Sequence, residues 1–468
     1  MAALFNWIPR LFSRRKRTFD GPERVSFRAG DHRHLRMGWS AEDAEQPAEA
    51  QFPAFRATAI DQLNTLTDNN KLMRARLALR DVFTPAQPVT ERTRFAGRLG
   101  VLAKLIEDLE EQRSHVVVYG ERGIGKTSLV HILADVARDS RYQVVYASCG
   151  ANSRFDEMFR AILNEIPQLY LRNVAPTAPE AEGGAVMADR LPKGVFGPRE
   201  LSELCSQIVG TRVLIILDEY DRITDPEFRQ SVAELIKNLS DRAARVQLIL
   251  TGVASNLQEL IGYIPSIRRN IVGLPMPRLT DAEVDALIRI GENAAGVTFE
   301  EPAVKMVRLL SNGSPYLARL ICHHSSLRAM DEGRLSVTLA DVWGALDSIV
   351  DEAQSRISPL SKAATKQLLE SRDGTALAAV ARAASTPDGW FAAEDVGPLI
   401  DGRTDAATLL AELAETGELF DVDASVDPRR YRFRDEALPT YLLMRVARDQ
   451  FAGNGEQQRP ARRRAGAA

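Results

Sequence analysis

The sequence predicts an α/β fold: a parallel sheet covered by helices on both faces, then a helical domain, then a small C-terminal domain that ends in a hairpin and a helix. Three observations predict it. Short apolar runs alternate with helical patterns between His115 and Thr251, which is how strands buried on both faces read. Beyond Pro277 the strand pattern stops and helices take over. From about Ser358 to Gln450 the chain reads helix, helix, helix, short strands at Leu419 to Val422 and Tyr431 to Phe433, and a final helix, an order that suits a winged helix.

At 468 residues the chain exceeds a single core, which stops growing near roughly 250 to 300 residues. Two or three domains are expected. Apolar content of 45%, charge of 26% and a formal charge of −3 exclude general disorder and give no global field to attract nucleic acid. Cys149, Cys205 and Cys322 are widely separated and suit a reducing compartment. No apolar run approaches the roughly 18 residues that span a bilayer, and charges follow the apolar residues at the start, unlike a secretion signal. A cytoplasmic location is expected. The ends hold local positive charge, at Arg10, Arg14, Arg15, Lys16 and Arg17 and at Arg459, Arg462, Arg463 and Arg464. Beside the first run lie Leu4, Phe5, Trp7, Ile8, Leu11 and Phe12, the composition of an interfacial anchor. Pro9 interrupts it, so peripheral membrane contact through residues 1–17 is weighed against a floppy terminus.

Each element follows in order. Residues 1–55 are polar with scattered Gly and Pro and are expected to be disordered. A helical extension, 56–94, contains a helix from Asn69 to Phe83 that Pro85 and Pro88 end. The sheet domain, 95–277, opens with a helix from Leu99 to Leu109. Strands are expected at His115 to Tyr119, Gln143 to Ser148, Arg212 to Leu217 and Val246 to Thr251, with helices at Lys126 to Ala137, Asp156 to Ile166 and Glu227 to Leu239. Residues 173–198, rich in Ala, Pro and Gly without periodicity, read as a flexible insertion on the sheet edge. Thr280-Asp281 before Glu283 forms a cap that opens a helical lid, 278–351. The C-terminal domain spans 358–450, and a basic tail, 451–468, is expected to be disordered.

The first strand runs into Gly120-Glu121-Arg122-Gly123-Ile124-Gly125-Lys126-Thr127-Ser128, a Walker A pattern between a strand and a helix. Glycines let successive backbone N–H groups turn inward on phosphates, and the helix N-terminus adds positive partial charge. Lys126 should reach the β and γ phosphates of ATP, Thr127 should supply a hydroxyl to Mg²⁺, and Ser128 should sit beside the α phosphate. The strand Val213 to Leu217 ends in Asp218-Glu219. Asp218 would hold Mg²⁺ through its water, and Glu219 would polarise the attacking water. His323-His324 show no metal spacing, and Trp343 and Trp390 read as packing anchors.

With these motifs the chain resembles AAA+ ATPases of the origin-recognition-complex-like type, close to the signal-transduction ATPases with numerous domains. The resemblance covers about Ala78 to Ala447. Besides the Walker motifs it rests on Phe95-Ala96-Gly97-Arg98, Thr251-Gly252-Val253-Ala254, Pro265-Ser266-Ile267-Arg268-Arg269-Asn270, Gly313-Ser314-Pro315 and Phe433-Arg434-Asp435. It implies a P-loop NTPase of the ASCE/AAA+ type with a helical lid and a C-terminal winged helix. By that resemblance Phe95 to Arg98 border the adenine and Thr251 falls near the sensor position, with Ser255 and Asn256 as rivals. Arg269 is the candidate arginine finger, with Arg268 its rival, and Pro315 packs near the base. The origin-recognition type usually places an arginine where Tyr316 stands; Arg319 lies one helical turn further on. This departure favours a switch over rapid ring-type hydrolysis.

The expected activity is hydrolysis of ATP, slow, in a nucleotide-dependent switch that regulates self-association or a protein partner. A DNA-associated loader is the first alternative. Its recognition helix, Thr404 to Thr416, has Asp405, Glu412 and Glu415 and no Lys or Arg, an unfavourable face for phosphates. Arg429, Arg430, Arg432 and Arg434 on the hairpin could touch phosphates without reading sequence. A membrane-recruited scaffold that binds ATP with little hydrolysis is the second alternative.

Overall fold

A computed structural model describes residues 71–457 apart from 86, 176–182, 255, 263–266, 372–373, 385, 387–388, 401–404, 416–418 and 436. In the sheet domain the strands are β1 (His115–Gly120), β2 (Gln143–Ser148), β3 (Val213–Asp218), β4 (Val246–Val253) and β5 (Ile271–Pro275). Helix α1 (Lys71–Val82) precedes this domain, which contains α2 (Leu99–Glu110), α3 (Lys126–Asp139), α4 (Phe155–Asn164), α5 (Pro198–Cys205), α6 (Pro226–Asp241) and α7 (Leu257–Ile261). The five strands are parallel, in the order β2-β3-β4-β1-β5. Alternate residues of each strand serve opposite faces. Val116, Val118, Leu214, Ile216 and Ile249 pack with α2 and α3, while Val117, Ile215, Leu217, Leu248 and Leu250 pack with α4, α5 and α6. All six residues of β3 are buried, so the acidic end of that strand is carried out of an apolar layer on a rigid rod.

The sheet is followed by α8 (Asp281–Ala295), β6 (Thr298–Phe299), α9 (Glu301–Ser311), α10 (Pro315–Asp331), β7 (Ser336–Val337) and α11 (Leu339–Arg356). Thr280 and Glu283 form the expected capping box on α8. The last part holds α12 (Pro359–Ser371), α13 (Gly374–Ala383), β8 (Trp390–Phe391), α14 (Ala393–Val396), α15 (Ala406–Glu415), β9 (Phe420–Asp423), β10 (Arg430–Phe433) and α16 (Leu438–Gln457). Its strands pair antiparallel in the order β8-β10-β9. Phe391, Phe420, Tyr431 and Phe433 pack in tilted and edge-to-face contacts within that small sheet.

Several boundaries differ from expectation. The stretch 173–198 is not a uniformly flexible insertion: among its described residues, 183–197 dock on the sheet domain. The Met187 amide donates to Ile166 O at 2.8 Å, Met187 is fully buried, Leu191 and Phe196 are buried, and Arg160 lies over the Phe196 ring. Such a segment needs only a few apolar anchors at irregular spacing, each worth about 1.5–3 kcal/mol when buried. The extension helix α1 packs on the lid: Phe83 meets Phe299 edge to face at 6.2 Å, and Gly291 leaves room for its ring. Helix α11 runs to Arg356, through the break expected at 351–358; Ala353 packs against the same core as Ile349 and Val350, and Ile357 beyond the helix is buried. The helix packs on α16, so lid and C-terminal part share one apolar core. Helix α16 also continues past 450, to Gln457.

Candidate functional site

Between β1 and α3 the chain adopts conformations that suit glycine. Gly120, Gly123 and Gly125 have φ of 152°, 74° and 95°, and only a residue without Cβ takes such angles at low cost. Ile124 is buried beneath the loop and pins it to the sheet. Lys126 is buried, and its Nζ donates to Gly120 O and Glu121 O, both at 2.8 Å. Burial lowers its pKa to about 8, partly offset by Asp221, Asp218 and Glu121. A lysine satisfied only by carbonyls of its own loop is a cation ready to exchange them for phosphate oxygens. Arg122 is exposed. Ser128 is engaged from another side, since its Oγ accepts from the Val89 amide at 3.0 Å; its own hydrogen can still be donated.

Asp218, at the buried end of β3, gathers four donors. Its Oδ2 accepts from Thr127 Oγ1 at 2.8 Å and from Tyr146 Oη at 2.6 Å. Its Oδ1 accepts from Thr251 Oγ1 and from the Glu219 amide, the latter at 2.9 Å. Thus the expected metal pair and sensor candidate meet on one carboxylate. Glu219 has φ of 56° and is half exposed; its Oε2 accepts from Ser148 Oγ at 3.2 Å and Arg222 Nη1 at 2.8 Å. The ring of Tyr146 stacks on His131, centroids 4.8 Å apart. Burial and Asp218 both push the Tyr146 phenol well up from its ordinary range.

The lid meets the loop directly. Ser314 caps α10, with Pro315 in its first turn. Pro315 Cγ lies 3.8 Å from where a Cβ on Gly125 would stand, and Tyr316 Cβ 3.2 Å from the same position on Gly123. Arg278, in the connector after β5, donates to both oxygens of Glu121, at 2.8 and 2.5 Å, and to Asn312 O at 2.8 Å. Glu283 of α8 accepts from the Arg98 amide at 2.6 Å. Gly313, φ 73°, has no room for a side chain: a Cβ would stand 2.5 Å from Leu279 O. A Gly313→Ala variant is expected to lose about 1–3 kcal/mol of stability, the usual cost of a strained backbone, measured by denaturant unfolding; unchanged stability would refute this fit.

Arg98 is the residue whose position was least foreseen. Its guanidinium is buried and donates to Ile124 O, while Nε and Nη2 have no hydrogen-bond partner. Burial lowers its pKa to about 10, against the pull of Glu283 and Glu121. Two orphaned buried donors are costly; the Nη1 of the same guanidinium lies 2.9 Å from where a Cβ on Gly125 would stand. The glycine cradle and Lys126 match a nucleotide phosphate chain, and Thr127 with Asp218 matches the donor set for Mg²⁺. Arg319, part-buried and lowered to about 10 by desolvation, donates to Arg94 O at 3.4 Å, which ties α10 to the strap before α2.

Other candidates are not brought here. Asn256 caps α7 through Glu259, and Ser255 lies outside the described residues. Arg268 and Arg269 are exposed in the turn before β5; among the described residues no contact joins Arg269 to this chain's own loop. On the C-terminal hairpin, Arg432 and Arg434 pair with Asp421 at 3.3 and 3.1 Å, and Arg432 lies over the Trp390 ring. Residues 1–17 lie outside the described residues, and no described helix is long and apolar enough to cross a membrane. Sequence reasoning missed Tyr146, Arg222, Arg278 and Glu283 as neighbours of the site. Tyr146 carried a faint signal: it lies two residues before Ser148, which registers with Asp218, so both face the side of β2 that Asp218 uses.

Residues 94–250 match the family model of the AAA ATPase domain. That match covers most of the sheet domain and agrees with the resemblance drawn from the motifs at the level of an AAA-type P-loop ATPase domain. No curated protein matches the chain. Among solved structures, the ORC2 protein of Aeropyrum pernix in ADPNP and ADP complexes is 18% identical, with 81% of this chain and 98% of that one covered, at a TM-score of 0.43. A Walker-type ATPase of Pyrococcus abyssi is 16% identical over 77% and 99%, at 0.44. The Cdc6p protein of Pyrobaculum aerophilum is 15% identical over 79% and 98%, at 0.41. At these scores the likeness carries no functional conclusion.

Proposed function

We propose that the chain binds Mg-ATP at residues 120–128 and uses slow hydrolysis to switch its lid, and the C-terminal part joined to it, between arrangements that a protein partner or a second copy can sense. The observation that carries this is the double tie between loop and lid: Glu121 to Arg278 to Asn312 on one side, and Gly123 and Gly125 against Tyr316 and Pro315 on the other. A ligand that moves the loop must work against both ties. Because lid and C-terminal part share one core, movement of the lid would carry the C-terminal part with it.

Thr127 and Asp218 would hold magnesium, which when bound supplies positive charge to the β and γ phosphate oxygens. Lys126 would trade the carbonyls of Gly120 and Glu121 for phosphate oxygens. Glu219 would take the proton of the attacking water. To do so its carboxylate has to leave or share Ser148 and Arg222, an added step that fits slow turnover. We read Arg269 as a residue that acts in trans, consistent with its exposure beside the edge strand β5.

The C-terminal part is read as a winged helix that binds protein. The exposed face of α15 presents Asp405, Glu412 and Glu415, and two of the four hairpin arginines are already paired with Asp421, which disfavours phosphate backbone as its partner. The test is hydrogen exchange of α10 and residues 276–280 with magnesium and either a non-hydrolysable ATP analogue or ADP. Slower exchange with the triphosphate is expected. Equal exchange in the two states would reject the switch, and no binding of either would reject the ATP reading as well.

A further inference from the structure

Asp218 has more donors than its expected task leaves room for. An ionised carboxylate offers about four lone-pair sites. All four are matched here, by Thr127, Tyr146, Thr251 and the Glu219 amide. Magnesium keeps several of its waters when it binds beside phosphates, and a water held by Asp218 must donate a hydrogen to it. One of the four donors has to give way.

Three are poor candidates to yield. Thr251 is fully buried on β4, the Glu219 amide belongs to the backbone that ends β3, and Thr127 can ligate the metal through its oxygen while its hydrogen stays on Asp218. Tyr146 is different. Its hydroxyl hydrogen turns about the C–O bond with no change in backbone or ring, its side chain is only part-buried, and the stack on His131 keeps the ring in place. Once its hydrogen turns away, its place on Oδ2 is open to a hydrogen of the metal's water.

We infer that Tyr146 is a placeholder on Asp218: its hydroxyl occupies the acceptor position that a magnesium-bound water takes over when Mg-nucleotide binds. Tyr146 is thereby a positioning residue that sets how much magnesium the site requires. The inference rests on the reading of residues 120–128 as a Mg-ATP site.

The test is Tyr146→Phe, which keeps the ring on His131 and removes only the hydroxyl. Magnesium is titrated into full-length protein that holds a fluorescent, non-hydrolysable ATP analogue, with affinity as the readout. With the hydroxyl gone, the metal's water meets a vacant acceptor, so the variant should need about three- to tenfold less magnesium for half its effect, the net scale of one ordinary hydrogen bond. Its affinity without magnesium should stay within about twofold of the parent, since Tyr146 touches no phosphate position, and its melting temperature without nucleotide should fall. A magnesium requirement that is unchanged or raised overturns the inference, whatever the melting temperature does. If the parent protein responds to magnesium and the variant responds identically, only this inference fails. If the parent binds no nucleotide, the Mg-ATP reading and this inference fall together.

Discussion

Replacing Lys126 with alanine is expected to weaken binding of Mg-ATP by about a hundredfold or more, the usual scale for removing one member of a buried charged pair. Its Nζ donates only to the carbonyls of Gly120 and Glu121, so the fold should tolerate the loss better than the ligand does. A pH dependence follows. Burial holds Lys126 at about 8, below its ordinary 10.5, so before nucleotide binds it is charged at pH 7 and mostly neutral at pH 9. Phosphate favours the charged form and raises the pKa again. Binding at pH 9 should therefore take up close to one proton, binding at pH 7 almost none, and affinity should decline as pH rises through 8. Titration calorimetry in buffers of different ionisation enthalpy measures this directly. Proton uptake in the Lys126→Ala variant equal to that of the parent would assign it elsewhere.

The second large effect is expected at Glu219. A Glu219→Gln variant should lose roughly 10²- to 10⁴-fold in hydrolysis, the range for removal of a general base, while its affinity for Mg-ATP stays near that of the parent. Glutamine preserves size and can still accept from Ser148 and Arg222, so the loop after β3 should keep its shape. Single-turnover hydrolysis and equilibrium binding separate the two effects. Loss of binding along with hydrolysis would mean that Glu219 supports the site's structure; unaltered hydrolysis would mean that another group takes the proton. The trapped variant also serves as bait for the partner that the triphosphate form holds.

The parts legible beforehand share a property: their signal is local. Four of the five strands of the sheet domain announce themselves as apolar runs, because a strand buried on both faces has no polar side to show; the edge strand β5, only partly buried, does not. The loop 120–128 is legible for the same reason, since strand, glycines, lysine and hydroxyls follow one another along the chain. Asp218 and Glu219 were found from the end of β3. The cap at Thr280 and the turn at Gly313 to Pro315 are likewise short-range patterns.

What escaped is long-range. Arg98 looked like a residue at the border of the base, yet its guanidinium reaches the carbonyl of Ile124 because α2 starts beside the loop. Arg278 and Glu121 are 157 positions apart, and no local pattern reports such a meeting. The docked stretch 183–197 was read as loose because its anchors, Met187, Leu191 and Phe196, follow no helical or strand period; only the apolar face of α4 and its neighbours gives them a place.

By itself, then, the sequence determined that a phosphate-binding loop precedes a helix, that an acidic pair ends a buried strand, and that a parallel sheet is followed by helices, because backbone angles and burial periods are written into neighbouring residues. Only the tertiary structure decided how many donors Asp218 holds, which residues restrain Glu219, and how loop and lid are tied. Those follow from the parallel order β2-β3-β4-β1-β5, which lays Tyr146, Asp218 and Thr251 side by side on three adjacent strands. Hydrogen bonds between side chains of different strands depend on that adjacency in space and are invisible to any spacing along the chain.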